Sequence, residues 1–138
     1  MTRSATHIVV TGATGFVGGA VLERLSALAN FELIAAVRKP VSALFGRAKS
    51  VHVAGLEADT DWREALQATN VVIHCAARVH VMNDQSSDPL AEFRKVNVEG
   101  TLNLARQAAA SGVRRFIFVS SIKVNGEGTA PGTSYKAD

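Results

Sequence analysis

The chain has 138 residues, 47% of them apolar and 20% charged, a balance that fits one globular domain and excludes a disordered or fibrous chain. Fifteen basic against twelve acidic residues leave a net charge of +3 with no run of like charges, which argues against nucleic-acid binding and leaves room for a small anionic ligand. A single cysteine, Cys75, excludes an internal disulfide, no apolar stretch approaches the roughly 20 residues of a membrane helix, and residues 1–6 do not read as a signal peptide, so a cytoplasmic location is expected by default.

In chain order, residues 7–10 (HIVV) form a short, largely β-branched run stopped by Thr11-Gly12, which predicts a strand buried on both faces. Val17, Val21, Leu25 and Leu28 follow at helical spacing. Residues 31–37 (FELIAAV) predict a second strand, ended by Arg38, Lys39 and Pro40. Residues 50–53 predict a weaker third strand. Asp61 is placed to cap a helix reaching about Ala68, with Trp62, Ala65 and Leu66 as its apolar side. Residues 71–75 (VVIHC) predict a fourth strand, and residues 79–88 a polar loop. Asp88 is a good N-cap with Pro89 at the first helical position. The long helix that follows carries Phe93, Asn97, Thr101, Leu104 and Ala108 on one stripe and ends at Gly112. Residues 116–120 (FIFVS) predict a fifth strand, and the tail from Asn125, with Gly126, Gly128, Pro131 and Gly132, reads as loop. Apolar strands alternating with helices predict a Rossmann-type, doubly wound parallel sheet in a three-layer α/β/α arrangement, with about five strands in the order 3-2-1-4-5.

The turn Thr11-Gly12-Ala13-Thr14-Gly15-Phe16-Val17-Gly18 joins the first strand to the first helix. Gly12 allows the tight exit from the strand, Gly15 lets backbone approach a pyrophosphate, and Gly18 lets the helix lie close to the sheet. Free amides and the helix dipole then favour an anion there. A tight turn without a ligand would use glycine too, but the strand before, the helix after and the second strand about 20 residues on are what a dinucleotide site requires. A P-loop would need Gly-Lys-Ser/Thr, which is absent. At the end of the second strand the ribose normally meets an acid or, for a 2′-phosphate, an arginine. Here Arg38 and Lys39 stand there, so NADP(H) is expected over NAD(H), with NAD as the lesser candidate; the other reading is a solvated basic pair. Asn97, polar on an apolar stripe, is expected to be buried and to find partners, either as a clasp to a loop or as a catalytic part. Ser120 and Ser121 end the fifth strand, where such sheets keep their ligands. His74 reads as a core histidine, Cys75 as a small core residue with no basic partner, and His80 as unassigned. No metal ligand set is read from the chain.

The glycine turn, together with Val72-Ile73-His74-Cys75-Ala76-Ala77, Asn97-Val98-Glu99-Gly100-Thr101 and Phe116-Ile117-Phe118-Val119-Ser120-Ser121, resembles the extended short-chain dehydrogenase/reductases, of the NAD-dependent epimerase/dehydratase type. The motifs run in family order over nearly the whole chain, and the likeness is to nucleotide-sugar epimerases and 4-keto-reductases. Val37-Arg38-Lys39-Pro40 is similar to the dihydroflavonol-reductase branch. The resemblance implies that Gly12, Gly15, Phe16, Val17 and Gly18 contact the pyrophosphate. It places Arg38 and Lys39 at the 2′-phosphate, and Ala76, Ala77 and Ser120 along the cofactor. Ser121 and Asn97 are the implied catalytic pair, Ser121 bonding the substrate oxygen and Asn97 steadying the backbone; Lys123 and Val124 line the substrate entrance. It implies a nucleotide-sugar substrate, and a homodimer through the helix over residues 93–110. Two positions depart from the family. Gly55 stands where relatives carry an Asp that holds adenine, with Asp59 either a substitute or a loop or capping residue, and Asn125 stands where many carry Tyr. The family's Tyr-x-x-x-Lys pair is absent: Tyr135, the one tyrosine, lies only 14 residues after Ser121 in a Gly/Pro loop. The chain is therefore expected to be the N-terminal part of a longer enzyme, without its C-terminal substrate domain. Alone it should bind cofactor without turnover and expose an apolar sheet edge prone to self-association. The competing expectation is a non-catalytic NADP-binding regulator of the same fold.

Overall fold

Runs of Val, Ile and Phe set the sheet, and polar or glycine-containing turns end each strand. The computed structural model describes residues 5–42, 46–79 and 85–136. The strands are β1 (Thr6–Thr11), β2 (Phe31–Val37), β3 (Lys49–His52), β4 (Val71–His74) and β5 (Arg115–Phe118). All pair in parallel, in the order β3-β2-β1-β4-β5, as expected. Val9 on β1 lies opposite Ile34 on β2 and Val72 on β4. His80 lies outside the described residues, with the rest of residues 80–84 of the loop expected before Asp88.

Side chains alternate across the sheet and define two cores. On one face Ile8, Val10, Leu33, Ala35 and Val37 pack against Leu22 of α1 (Phe16–Ser26), with Val21 and Leu25 partly buried beside them. On the other, Val9, Ala36, Val53 and Val72 pack against α2 (Arg63–Leu66) and α4 (Thr101–Ala110), through Trp62, Ala65, Leu66, Leu104 and Ala108. The inward stripe of α1 is therefore centred on Gly18 and Leu22 rather than on Val17, which is 46% exposed, and Leu28 falls beyond the helix. The close approach of Gly18 to the turn fixes that rotation.

The expected helix after Asp61 is a single turn. The Asp61 carboxylate accepts from the Arg63 amide and guanidinium, closing a local turn, and Trp62 takes the N-cap position. Ala68 ends the segment with φ at +57°, a conformation that costs a non-glycine residue strain. After Asp88, whose carboxylate accepts from the Ala91 amide at 3.0 Å, the long helix is not uniform. It runs as α3 (Pro89–Arg94), a π-helical turn (Lys95–Gly100) and then α4, closed by Gly112 at φ +80°. Strand β5 is shorter than expected; the Val119 amide still donates to the His74 carbonyl, but Ser120 and Ser121 lie past the pairing. Nor is β5 buried on both faces: Ile117 and Phe118 are exposed. Among the described residues no helix is long and apolar enough to cross a membrane.

Candidate functional site

At the carboxyl ends of β1, β2 and β4 the chain encloses a cleft of about 740 Å³. Its floor is the glycine turn. Gly12 takes φ +64°, and a Cβ there would lie 2.8 Å from the Ala76 nitrogen, so the exits of β1 and β4 interlock at a position only glycine fits. The Gly15 amide donates to the Gly12 carbonyl at 2.9 Å. A Cβ on Gly18 would stand 2.2 Å from that same oxygen. Gly15 is the N-cap of α1 and brings no side chain to the first turn, which leaves its amides for an anion. This cradle, with the open amides above it, fits a pyrophosphate.

Of the residues expected to hold cofactor, Gly12, Gly15, Phe16, Val17 and Gly18 line the cleft, and so do Arg38 at the end of β2 and Ala76 and Ala77 after β4. Lys39 and Ser120 are not among the lining residues, nor are Asn97, Ser121, Lys123 and Val124. Ser121 is exposed and caps a 3-10 turn (Ile122–Asn125), its Oγ accepting from the Lys123 amide at 3.3 Å. Lys123 pairs with Glu127 at 2.8 Å, and Val124 is exposed. The Tyr135 hydroxyl is buried near Gly126, with no hydrogen-bond partner among the described residues.

The half-buried Asn97 clasps a loop. Its Oδ1 accepts from the Arg78 amide at 2.7 Å and its Nδ2 donates to the Arg78 carbonyl at 3.0 Å, which holds the strip after β4 along the cleft. The Arg78 guanidinium lies over the Phe93 ring, 5.4 Å from its centre. His74 is fully buried, as expected of a core residue, and ties three segments together. Thr11 Oγ1 accepts from the amides of Cys75 (3.2 Å) and Ala76 (3.1 Å), so its proton goes to His74 Nδ1 at 2.7 Å. The partners thereby assign the neutral tautomer protonated at Nε2, which donates to Thr101 Oγ1 at 2.9 Å. Burial lowers the His74 pKa to about 4. Cys75 is half-buried and lines the cleft rather than the core; burial pushes its thiol pKa up, away from nucleophilic use.

Of the far wall of the cleft the sequence marked only Gly55, as the position where relatives carry an Asp that holds adenine. This wall is the segment after β3, with Gly55, Leu56, Glu57 and Trp62, together with Val96 from the π turn. Asn103 Nδ2 donates to the carbonyls of Glu57 (3.0 Å) and Thr60 (2.8 Å), and Gln107 Nε2 also donates to Thr60 at 2.8 Å. A Cβ on Gly100 would meet the Leu56 carbonyl oxygen at 2.5 Å. Among the described residues no group of His, Cys, Asp or Glu could hold a metal ion.

The sequence profile of the NAD dependent epimerase/dehydratase family matches residues 8–138. The UDP-glucose 4-epimerase of Vibrio cholerae is 47% identical over 131 residues, covering 95% of this chain and 39% of that protein. The dihydroflavonol 4-reductase of Hordeum vulgare is 35% identical over 125 residues, 83% of this chain and 34% of that one. The structure of MoeE5 in complex with UDP-glucuronic acid and NAD superposes with a TM-score of 0.76 at 26% identity, over 96% of this chain and 42% of that one. The chain thus spans well under half the length of these relatives.

Proposed function

From the premise that the chain belongs to the NAD-dependent epimerase/dehydratase family, we propose that it is the dinucleotide-binding domain of a nucleotide-sugar 4-epimerase or 4-keto-sugar reductase that prefers NADP(H). The observation that carries this reading is one cleft in which the Gly12–Gly18 cradle and Arg38 lie together. The turn amides would take the pyrophosphate. Arg38, exposed at the end of β2, would meet a 2′-phosphate with a bidentate fork. Lys39 adds charge nearby. Ala76 and Ala77 give a side-chain-poor wall, kept in place by Asn97 through Arg78. When bound, the nicotinamide supplies hydride transfer, taken and returned in epimerisation and consumed in reduction. Ser121, Lys123 and Val124, exposed beyond β5, would face the sugar nucleotide. Val98 and Leu102, exposed on the outer face of the helix, offer a surface for a second copy.

The test is to titrate NADPH and NADH against the wild type and Arg38→Ala. NADPH should bind more tightly, and the substitution should weaken it about tenfold while sparing NADH, in line with the loss of a charge-assisted hydrogen bond. Equal affinities that the substitution leaves unchanged would rule out the 2′-phosphate role. In the absence of a Tyr-x-x-x-Lys pair, the 138-residue chain should bind cofactor without converting a sugar nucleotide.

A further inference from the structure

The segment after β3 walls one end of the cleft with residues that offer almost no side-chain polarity: Val53, Ala54, Gly55 and Leu56. The exceptions are Glu57, whose carboxylate pairs with Lys95 at 3.9 Å, and Trp62. Trp62 is only 1% exposed, yet it lines the cleft. Its main chain is pinned, the amide donating to Gln107 Oε1 at 2.9 Å, while Asn103 and Gln107 hold the preceding carbonyls of Glu57 and Thr60. The indole is therefore carried on a rigid support from α4. Its Nε1–H nevertheless has no acceptor among the described residues. Buried N–H groups are rarely left unpaired, because an unmade bond costs the whole desolvation of the donor. An unpaired donor on a residue that lines a cleft points to an acceptor that arrives with a ligand.

We propose that Trp62 is a specificity-determining residue whose indole N–H donates to a ring nitrogen of the purine of a bound dinucleotide. This rests on the dinucleotide reading above. With the pyrophosphate on the turn after β1 and the ribose at the end of β2, the base extends toward the segment that follows β3. A flat aromatic ring suits the apolar lining there. A purine has ring nitrogens that accept hydrogen bonds, and Trp62 Nε1 donates only.

Trp62 is the only tryptophan, so its indole gives one N–H resonance that needs no assignment. The wild-type chain is titrated with adenosine 2′,5′-bisphosphate, which carries the purine without the nicotinamide, and separately with nicotinamide mononucleotide. The bisphosphate should move the indole proton downfield and slow its exchange, and the mononucleotide should do neither. Trp62→Phe, which keeps an aromatic ring and removes the donor, should weaken bisphosphate binding about three- to tenfold, the worth of one neutral hydrogen bond. Saturation by the bisphosphate with the indole proton unmoved overturns the proposal while leaving the dinucleotide reading intact. So does a folded Trp62→Phe that binds like the wild type. If the wild type binds neither the bisphosphate nor NADP(H), both fall together.

Discussion

The hydrogen bond that His74 Nδ1 accepts from Thr11 requires the neutral ring, because the Thr11 oxygen is already occupied by the amides of Cys75 and Ala76. A proton on Nδ1 would have to displace one of them, and with it part of the cleft wall. The consequence for stability follows from the two states. The unfolded histidine takes up a proton near its ordinary value of 6.5, whereas burial holds the folded one at about 4. Above 6.5 neither state binds the proton and stability is complete. Between 6.5 and about 4 only the unfolded chain binds it, so stability falls with falling pH, by about 3 kcal/mol over the window. Urea unfolding at about pH 7 and about pH 5 should show a loss of about 2 kcal/mol in the wild type that His74→Gln lacks; equal losses in both proteins would remove His74 as the cause. At this scale the cleft was legible wherever local spacing determines it. Gly12, Gly15 and Gly18 span the turn after β1 and the start of α1, Arg38 directly follows β2, the resemblance supplied Ala76 and Ala77 after β4, and the parallel order brings these strand ends together. Trp62 was read correctly as apolar packing, but its anchoring depends on Gln107, 45 positions away, and no local pattern carries that. Asn97 was open between clasp and catalyst, and its two bonds to Arg78 give the clasp.

Among the elements, the segment from Pro89 to Ala110 shows most clearly what a hydrophobic pattern can and cannot fix. Phe93, Asn97, Thr101, Leu104 and Ala108 do turn inward, so the stripe located the helix and its inner face. The π turn at Lys95–Gly100 was invisible in that stripe, because one widened turn shifts the register without changing which residues are apolar. Its cause is tertiary: Gly100 must lie against the Leu56 carbonyl while Asn97 reaches Arg78. The strands were legible because β-branched runs between turn residues have few alternatives. The helix after Asp61 was overextended, since nothing in residues 63–68 announces the positive φ at Ala68. Two leucines on α4 separate the stripe from the surface. Leu104 is 0% exposed and packs in the core shared by Val9, Val72 and Trp62, whereas Leu102 is 46% exposed. Leu104→Ala should cost about 3 kcal/mol of unfolding free energy and Leu102→Ala less than about 0.5 kcal/mol. Chemical denaturation midpoints at an unchanged slope measure both, and a Leu102→Ala as damaging as Leu104→Ala would mean that the outer face is packed.

Taken as a whole, the sheet winds outward in two directions from β1: through β2 to β3 on one side, through β4 to β5 on the other. That reversal opens the crevice between the β1 and β4 exits, where Gly12 meets Ala76, and it places the cleft at the switch point of the sheet. It also leaves two edge strands of unlike character. The β3 edge, Lys49-Ser50-Val51-His52, is polar and led by a lysine, a composition that discourages pairing with another chain. The β5 edge, Arg115-Phe116-Ile117-Phe118, is mostly apolar; Ile117 and Phe118 are 41% and 55% exposed, with Val119 and Ile122 continuing the patch. Beside β4, β5 has no second neighbour among the described residues, so its outer backbone groups face solvent next to that apolar surface. Both conditions for edge-to-edge association are met there and not at β3. Sedimentation of the 138-residue chain should therefore show a mean mass that rises with protein concentration. Because the attraction is apolar, added salt should not reverse it. Ile117→Lys should shift the chain toward monomer, and Ser50→Lys on the opposite edge should change nothing. A wild type that stays monomeric over the same range, or a Ser50→Lys that disperses it as well as Ile117→Lys does, would show that the β5 edge is not what drives association.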